Sequence, residues 1–338
     1  MTKTPTDFDR YGWKCNEDNL KTLPDDAPQA ARDLAQWLTL EGRRSSLAEW
    51  LGQVKEDGKL HGKFWHLGAW THRKSHSKPN SANIPALFHG EPTTAVEEVK
   101  FKYDAKLREL FEASPDYPYL VGTDAEGIQL RILAHYMKSK DYVDAICEGN
   151  SADETDIHNV NKRALGEVCR DRDVAKTFIY AWLLGAGIPK VASILSCHIG
   201  QATTAISDFL TALPELKKVK AITIPRDARR GYFIGLDGRK VICDSEHKML
   251  AGYLQNGESV VMKHATVLWM KWADEERLVY RLVNDVHDEW QTEVASYAHA
   301  ERIGQLQCKA LEQVGKDLGV FCPLAGKSTI GKNWKETH

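Results

Sequence analysis

Two acidic residues that lie far apart in the chain are the first candidates for chemistry. Asp124 follows a short apolar run at 119–121 that is typical of a buried strand, and Gly127 comes soon after it. Asp288 lies in a second strand-like stretch near the other end of the chain. A lone acid beside a glycine-containing turn is most often a helix cap or a solvated turn residue. As a pair, however, two carboxylates can bridge two Mg²⁺ ions and assist phosphoryl transfer.

A cationic helix is predicted between the two acids. Arg172, Lys176 and Tyr180 recur at four-residue steps, which places their side chains on one face of a helix. A surface helix with a few charges is the simpler interpretation, but the remaining positions are strongly apolar: Phe178, Ile179, Trp182 and Leu183. A cationic stripe that ends in an aromatic ring suits a triphosphate whose base stacks beyond it. The three stretches together indicate metal-assisted phosphoryl transfer on a triphosphate.

Apolar periodicity predicts the elements that would position these groups. A strand that begins at Tyr119 runs into a helix after Gly127, and two further strands at 278–294 place the stretch 285–288 near their turn. The other predictions are helices over 27–55, 173–184, 205–220, 249–274 and 300–318, a strand pair over 59–69, a basic loop over 71–85, and a hairpin over 232–242 with a two-residue Asp-Gly turn.

Composition limits the classes of protein to which the chain can belong. Its 338 residues, 42% apolar, are enough for a sizeable core in one large domain or in two or three smaller ones. The net charge of −2 gives no global sign of nucleic-acid binding, so DNA contacts would depend on local basic clusters. The seven scattered cysteines favour a cytoplasmic protein without a zinc site. No apolar run approaches the roughly 20 residues of a membrane span.

The order and spelling of three stretches resemble motifs A, B and C of the family A DNA polymerases, above all those of short-tailed bacteriophages. The stretches are 119–135, 172–180 and 282–290. The resemblance implies an α+β fold, with an antiparallel-sheet palm, inserted and mainly helical fingers, and a helical remnant of the thumb. It divides the chain into a thumb base at 1–55, a first part of the palm at 56–137, fingers at 138–250 and a second part of the palm at 251–338.

The resemblance also assigns roles at the reaction centre. Asp124 and Asp288 would be the metal ligands, with the carbonyl of Ala125 as a further ligand, and the ion would be Mg²⁺. Glu289 would support them. The groups that would bind the incoming nucleotide are Arg172, Lys176, Tyr180, His158 and Gln129, and Lys176 would also protonate the pyrophosphate leaving group. The groups that would contact DNA are Arg73, Gln255 and His287.

Three positions depart from the family pattern. Gln129 stands where the family has the glutamate that excludes a ribose 2′-hydroxyl, so the resemblance implies a deoxyribose preference with weakened sugar discrimination. Leu184 replaces a tyrosine that stacks at the templating position, which puts fidelity in question. Ala251 replaces an asparagine on the long helix.

The implied function is template-directed extension of a primer 3′ end with deoxynucleoside triphosphates. The implied partners are primer-template DNA and a separate chain that supplies the thumb and a 3′–5′ exonuclease, because most of a thumb and an exonuclease opening motif are not found in the sequence. We expect no membrane association and a cytoplasmic location, in the host cell if the protein is viral. Two alternatives remain open: a single-subunit RNA polymerase-like enzyme and a non-catalytic DNA-binding subunit.

Overall fold

The computed structural model describes residues 8–9, 12–13, 20, 27–88 and 90–338. Much of the first part of the predicted thumb base at 1–55 lies outside the described residues. The strands are β1 (Phe8–Asp9), β2 (Gly12–Trp13), β3 (Lys63–Trp65), β4 (Ser75–Ser77), β5 (Tyr119–Ala125), β6 (Tyr232–Ile234), β7 (Lys240–Ile242), β8 (Tyr280–Val286), β9 (Glu289–Val294) and β10 (Gly326–Gly331).

Helices make up most of the remaining described structure. They are α1 (Gln29–Gln53), α2 (Ala95–Glu109), α3 (Ile128–Met137), α4 (Lys140–Cys147), α5 (Ile157–Leu165), α6 (Arg172–Leu183), α7 (Ile188–Leu195), α8 (Ile199–Ala212), α9 (Pro214–Lys218), α10 (Ile224–Arg230), α11 (Glu246–Glu275) and α12 (Tyr297–Asp317). Among the described residues, no helix is long and apolar enough to cross a membrane.

The largest sheet among the described residues has four antiparallel strands in the order β10-β5-β9-β8. Helix α12 packs against this sheet through a buried apolar face: Ile303, Leu306, Ala310, Leu311 and Val314. Gly304 allows the close approach, because a Cβ there would come within 2.6 Å of the Ser328 hydroxyl on β10. The prediction of an α+β fold with an antiparallel sheet is confirmed.

The chain between β5 and β8 is almost entirely helical. Helices α5, α6 and α8 pack around an aromatic cluster in which Phe209 contacts Phe178 and Trp182 edge to face, at ring-centroid distances of 5.2 and 5.6 Å. Helix α11, which is 30 residues long, then returns the chain to the sheet and packs against both α3 and α12. The two strands that carry the acids are therefore joined through an inserted helical region.

The N-terminal helix α1 packs along α2 and reaches the end of the chain. Arg43 of α1 pairs with Asp104 of α2 at 2.6 Å. At the other end of α1, Trp50 packs on Phe111, which in turn packs on Trp334. Several large apolar side chains of α1 and of the residue that follows it are exposed: Leu34, Trp37, Leu40, Leu51 and Val54.

The predicted helices over 27–55, 173–184, 249–274 and 300–318 are confirmed as α1, α6, α11 and α12. The single helix over 205–220 is wrong, because Pro214 interrupts it: Leu213 before it has a non-helical backbone (φ −120°, ψ 75°). The strand pair over 59–69 is also wrong. Lys63–Trp65 is a strand, but its partner is Ser75–Ser77, within the predicted basic loop.

The hairpin at 232–242 is confirmed, but its turn is longer than the predicted two residues. The backbone N–H of Gly235 donates to the carbonyl of Arg239 at 2.9 Å, so three residues lie between them. Gly238 among them adopts φ +77°, a conformation that glycine takes without a steric penalty. The dipeptide Asp-Gly therefore marked the position of the turn and not its length.

Candidate active site

The sheet brings Asp124 and Asp288 to neighbouring strands at one end. Asp124 is the penultimate residue of β5 and pairs with Glu289 of β9. Asp288 lies in the tight turn between β8 and β9, where His287 adopts φ 53°. The backbone N–H of Ala125 donates to the carbonyl oxygen of Asp288 at 2.9 Å, which ties the turn to the end of β5. Two acids that are distant in sequence are thus adjacent in the fold.

The environment of the two carboxyl groups is negatively charged. Burial among neighbouring groups, followed by the charges of Asp288 and Glu289, raises the pKa of Asp124 to about 7, even though its side chain reaches solvent. Burial also raises the pKa of Asp288. At Glu289, burial acts in the same direction, but hydrogen bonds from His338 and Trp334 help to hold the pKa below its usual value. Burial therefore disfavours the ionised form of the first two carboxyl groups, and at Asp124 the neighbouring acids add to this effect.

The chemistry of this donor set fits Mg²⁺. Asp124 and Asp288 supply carboxylate oxygens, and the carbonyl of Ala125 is in the same strand end. Magnesium is usually bound by one or two carboxylates, with waters and substrate phosphates completing its shell. Among the described residues, no group of three or more His, Cys, Asp or Glu side chains comes together as a metal cluster.

Helix α6 places its predicted stripe on the side away from the core. The Asp171 side chain caps the helix by accepting a hydrogen bond from the Val174 N–H at 2.8 Å. Ala175, Phe178, Ile179 and Leu183 are buried. Lys176 is exposed and Tyr180 is half-buried. The pKa of Tyr180 is raised by burial and then by the charges of Asp288 and Asp124, so the Tyr180 end of the stripe lies within electrostatic reach of the acid pair.

His158 lies beside this stripe on α5. Its ring centroid is 6.2 Å from that of Tyr180. Burial, and then the charge of Arg172, lowers the pKa of His158 to about 4, so its imidazole is neutral near pH 7. Its Nδ1 atom is buried and has no hydrogen-bond partner among the residues that the structure describes. Asp156, the N-cap of α5, accepts from Arg172 Nε at 2.6 Å, which holds the guanidinium next to the histidine.

A second cluster lies under the site, where α11 crosses α3. Arg73 donates to Glu258 Oε2 at 2.5 Å, and Gln129 Nε2 donates to the same oxygen at 3.0 Å. Glu258 is fully buried. Burial raises its pKa to about 7, with a smaller contribution in the same direction from Asp288. The structure therefore joins two predicted site residues, Arg73 and Gln129, through a third residue.

The remaining predicted DNA contacts border the same region. Gln255 is half-buried on α11, one helical step before Glu258. His287 stacks on His76 with ring centroids 6.2 Å apart. Burial, and then the charges of Arg73 and His76, lowers the pKa of His287 to about 4.

Sequence reasoning missed Glu258 and Asp156. Glu258 gave no local signal, because its neighbours Gln255, Asn256, Gly257 and Ser259 are polar or small, and its full burial is visible only in the structure. Asp156 was present in the stretch that contains His158, but its pairing with Arg172 joins two different helices. Neither partner follows from local spacing.

Comparisons with known proteins agree with this arrangement. The family model described as DNA polymerase family A matches residues 2–336. The DNA-directed DNA polymerase of Enterobacteria phage T3 is 30% identical over 99% of this chain and 50% of its own length. That of Escherichia phage T7 is 30% identical over 94% of this chain and 47% of its own length. The chain thus spans about half the length of these relatives.

A solved structure shares the fold. It is described as the POL domain of Pol1 from M. smegmatis in complex with DNA primer-template and dNTP, and it aligns with a TM-score of 0.82, covering 97% of this chain and 57% of that chain. Its sequence is 20% identical, so the likeness concerns the fold alone. Since the family model extends over nearly the whole sequence, this chain belongs to DNA polymerase family A.

Proposed function

We propose that the chain is a template-directed DNA polymerase that adds deoxynucleotides to a primer 3′ end by two-metal phosphoryl transfer. The observation that carries the proposal is the pairing of β5 with β9, which brings Asp124 and the turn of Asp288 together. The polymerase names of the phage relatives and the primer-template and dNTP of the solved structure support it.

Asp124, Asp288 and the carbonyl of Ala125 would hold Mg²⁺. The raised pKa values of both carboxyl groups support this assignment, because a bound cation would stabilise the ionised carboxylates that burial disfavours. When bound, the ions lower the pKa of an attacking hydroxyl and neutralise charge on the transferring phosphoryl group. Glu289 supports the site by fixing the strand pair at this end through its buried hydrogen bond from Trp334 (2.6 Å).

The stripe on α6 would bind the incoming nucleotide. Arg172 and Lys176 would contact the phosphates, because both are cationic and Lys176 is exposed. The neutral imidazole of His158 donates a hydrogen bond to the same phosphates. Lys176 Nζ transfers a proton to the pyrophosphate leaving group. Tyr180, nearest the acids, stacks against the sugar and base, and Gln129 lies under the sugar.

The cluster below the acids would contact the primer-template. Arg73 and Gln255 reach the DNA from the side of α11, and His287 from the turn next to Asp288. The chain carries little net charge, so positive charge for DNA binding would have to be local, and Arg73 and Lys263 line one pocket beside His287.

A separate polypeptide that carries the thumb and a 3′–5′ exonuclease would cover α1. The support is the set of exposed apolar side chains on that helix, among which Trp37 and Leu51 are 56% and 75% exposed, because exposed apolar groups can mark an interaction site. The six described cysteines are free thiols, which supports a cytoplasmic location, in the host cell if the protein is viral.

Primer extension tests the proposal. Wild type and Asp288→Ala are compared on a primed DNA template with dNTPs and Mg²⁺, with and without the candidate partner chain. Asp208→Ala, at an exposed position on α8, is the matched control. We expect Asp288→Ala to lose about a thousandfold or more in rate, because a metal ligand contributes several kcal/mol of transition-state stabilisation.

The outcomes separate the alternatives. Primer-independent synthesis from ribonucleotides would favour an RNA polymerase-like enzyme. Gln129 makes this outcome conceivable, because it replaces the family glutamate that excludes a ribose 2′-hydroxyl. DNA binding without synthesis, under every condition and with the partner present, would favour a non-catalytic subunit. Processive synthesis by this chain alone would contradict the partner and leave the enzyme assignment intact.

A further inference from the structure

A buried glutamate that none of the proposed steps uses lies within the long helix α11. Glu258 is 0% exposed, whereas charged residues are almost never fully buried unless they are paired. Its two partners come from distant parts of the chain: Arg73 lies 185 positions away and Gln129 lies 129 positions away. A folding role alone would not require both partners to be residues that border the reaction site.

The helix is held close to both partners. Gly257 packs directly on α3, because a Cβ at this position would come within 2.7 Å of Ile132 Cγ2. On the other side, Ser259 donates to the carbonyl of His72 at 2.6 Å, which fixes the backbone just before Arg73. Glu258 is therefore held between two anchored segments, and it can fix the side chains of Arg73 and Gln129.

The contact also decides how the amide of Gln129 is oriented. Nε2 of Gln129 donates to Glu258 Oε2, so the Oε1 atom of the same amide faces away from Glu258. Oε1 of Gln129, Oε1 of Glu258 and Nε of Arg73 are buried without a hydrogen-bond partner among the described residues. Buried polar atoms in folded proteins are normally paired, so these three atoms point to a ligand that completes the cluster.

We propose that Glu258 is a positioning residue that controls sugar selection, by holding Gln129 across the space that a ribose 2′-hydroxyl would occupy and by holding Arg73 beside it. The inference rests on the proposed polymerase function. A glutamine side chain has several rotatable bonds, and without a fixed acceptor it can turn aside. The hydrogen bond to Glu258, whose carboxyl group also pairs with Arg73, keeps it in place.

The test is single-nucleotide incorporation on a primed template by the full chain, with its partner where extension needs it. The measured quantity is the ratio of kcat/KM for a deoxynucleotide to that for the matching ribonucleotide. We expect Glu258→Gln to lower this ratio about tenfold, because it removes the charge from a buried hydrogen bond. Glu301→Gln, at an exposed position on α12, should leave it unchanged.

Exchanging the two side chains gives the sharper result. Gln129→Glu places a second carboxylate where the amide donated, so we expect the ratio to fall about tenfold here too. The double variant Gln129→Glu with Glu258→Gln restores a donor and an acceptor, and we expect the ratio to return to within about threefold of wild type. A purely structural role for Glu258 predicts that the two defects add.

Additive defects, or an unchanged ratio in a folded Glu258→Gln protein, would overturn the inference and leave the polymerase function standing. If Glu258→Gln does not fold, Gln129→Ala gives the second measure, because it removes the side chain that Glu258 holds. For Gln129→Ala, the ratio of kcat/KM values must fall, and an unchanged ratio overturns the inference. A wild-type protein that incorporates neither nucleotide overturns both proposals.

Discussion

Replacing Asp124 by asparagine should stabilise the metal-free protein at high pH. The pKa of Asp124 is raised from 3.8 to about 7 by burial and by Asp288. Between these two values the unfolded chain releases this proton while the folded chain keeps it. The stabilising contribution is therefore present below about pH 3.8 and is lost as the pH rises to about 7. Asparagine keeps the shape and removes the charge, so the variant does not undergo this loss.

The size of the effect follows from the shift and from the exposure of the side chain. A fully buried group with a shift of this size would contribute roughly 4 kcal/mol. Asp124 reaches solvent, and screening reduces the effect, so we expect about 1 kcal/mol at pH 8. For a chain of this size, that free energy corresponds to an increase of about 1–2 °C in Tm.

Thermal unfolding in EDTA measures this difference at pH 8 and at pH 4, where it should vanish. Asp208→Asn on α8 serves as the control and should show no pH-dependent difference from wild type. Adding Mg²⁺ at pH 8 should reverse the order, because the ion stabilises wild type more than Asp124→Asn. If the variant were no more stable than wild type at pH 8 in EDTA, the reasoning about uncompensated charge would be refuted.

Three further predictions concern other parts of the molecule. Arg172→Ala should raise the KM for nucleotide about tenfold with a smaller change in kcat, since it removes a charged phosphate contact; an unchanged KM in steady-state assays would contradict this. Trp334→Ala should lower the free energy of unfolding in urea by about 3–5 kcal/mol, because Trp334 is 2% exposed, and Trp334→Phe by less. Gly257→Ala should destabilise by about 1–3 kcal/mol through its contact with Ile132, whereas Gly200→Ala, with open space around it, should not.

Elements with a long local pattern could be predicted from the sequence. Helices α1, α11 and α12 repeat apolar residues over many turns, and the β8–β9 hairpin is local, so their positions followed from periodicity. The pairing of β3 with β4 did not, because short strands carry little pattern of their own. Strand β10 was missed as well. It pairs with β5 across some two hundred residues of chain, and no local signal specifies that register.

The residues of the candidate site also differ in whether a local sequence pattern could predict them. Asp124 and Asp288 each lie at a recognisable strand end, so both could be proposed from the sequence, and their adjacency then followed from the family pattern. Glu258 could not be assigned a role, because its meaning depends on contacts with Arg73 and Gln129 from two other elements. A spacing rule describes neighbours on one helix, whereas this cluster is made where three segments cross.

The electrostatics of the site bear on the choice between a catalytic chain and a DNA-binding subunit. Burial raises the pKa values of Asp124 and Asp288, and at Asp124 like charge adds to the shift, so each ionised carboxylate is disfavoured in the folded chain. DNA is a polyanion and would be repelled by the same two charges. A cation between the carboxylates and the phosphates removes both penalties at once. The pair is therefore better explained by metal-dependent chemistry on a phosphate than by DNA binding alone.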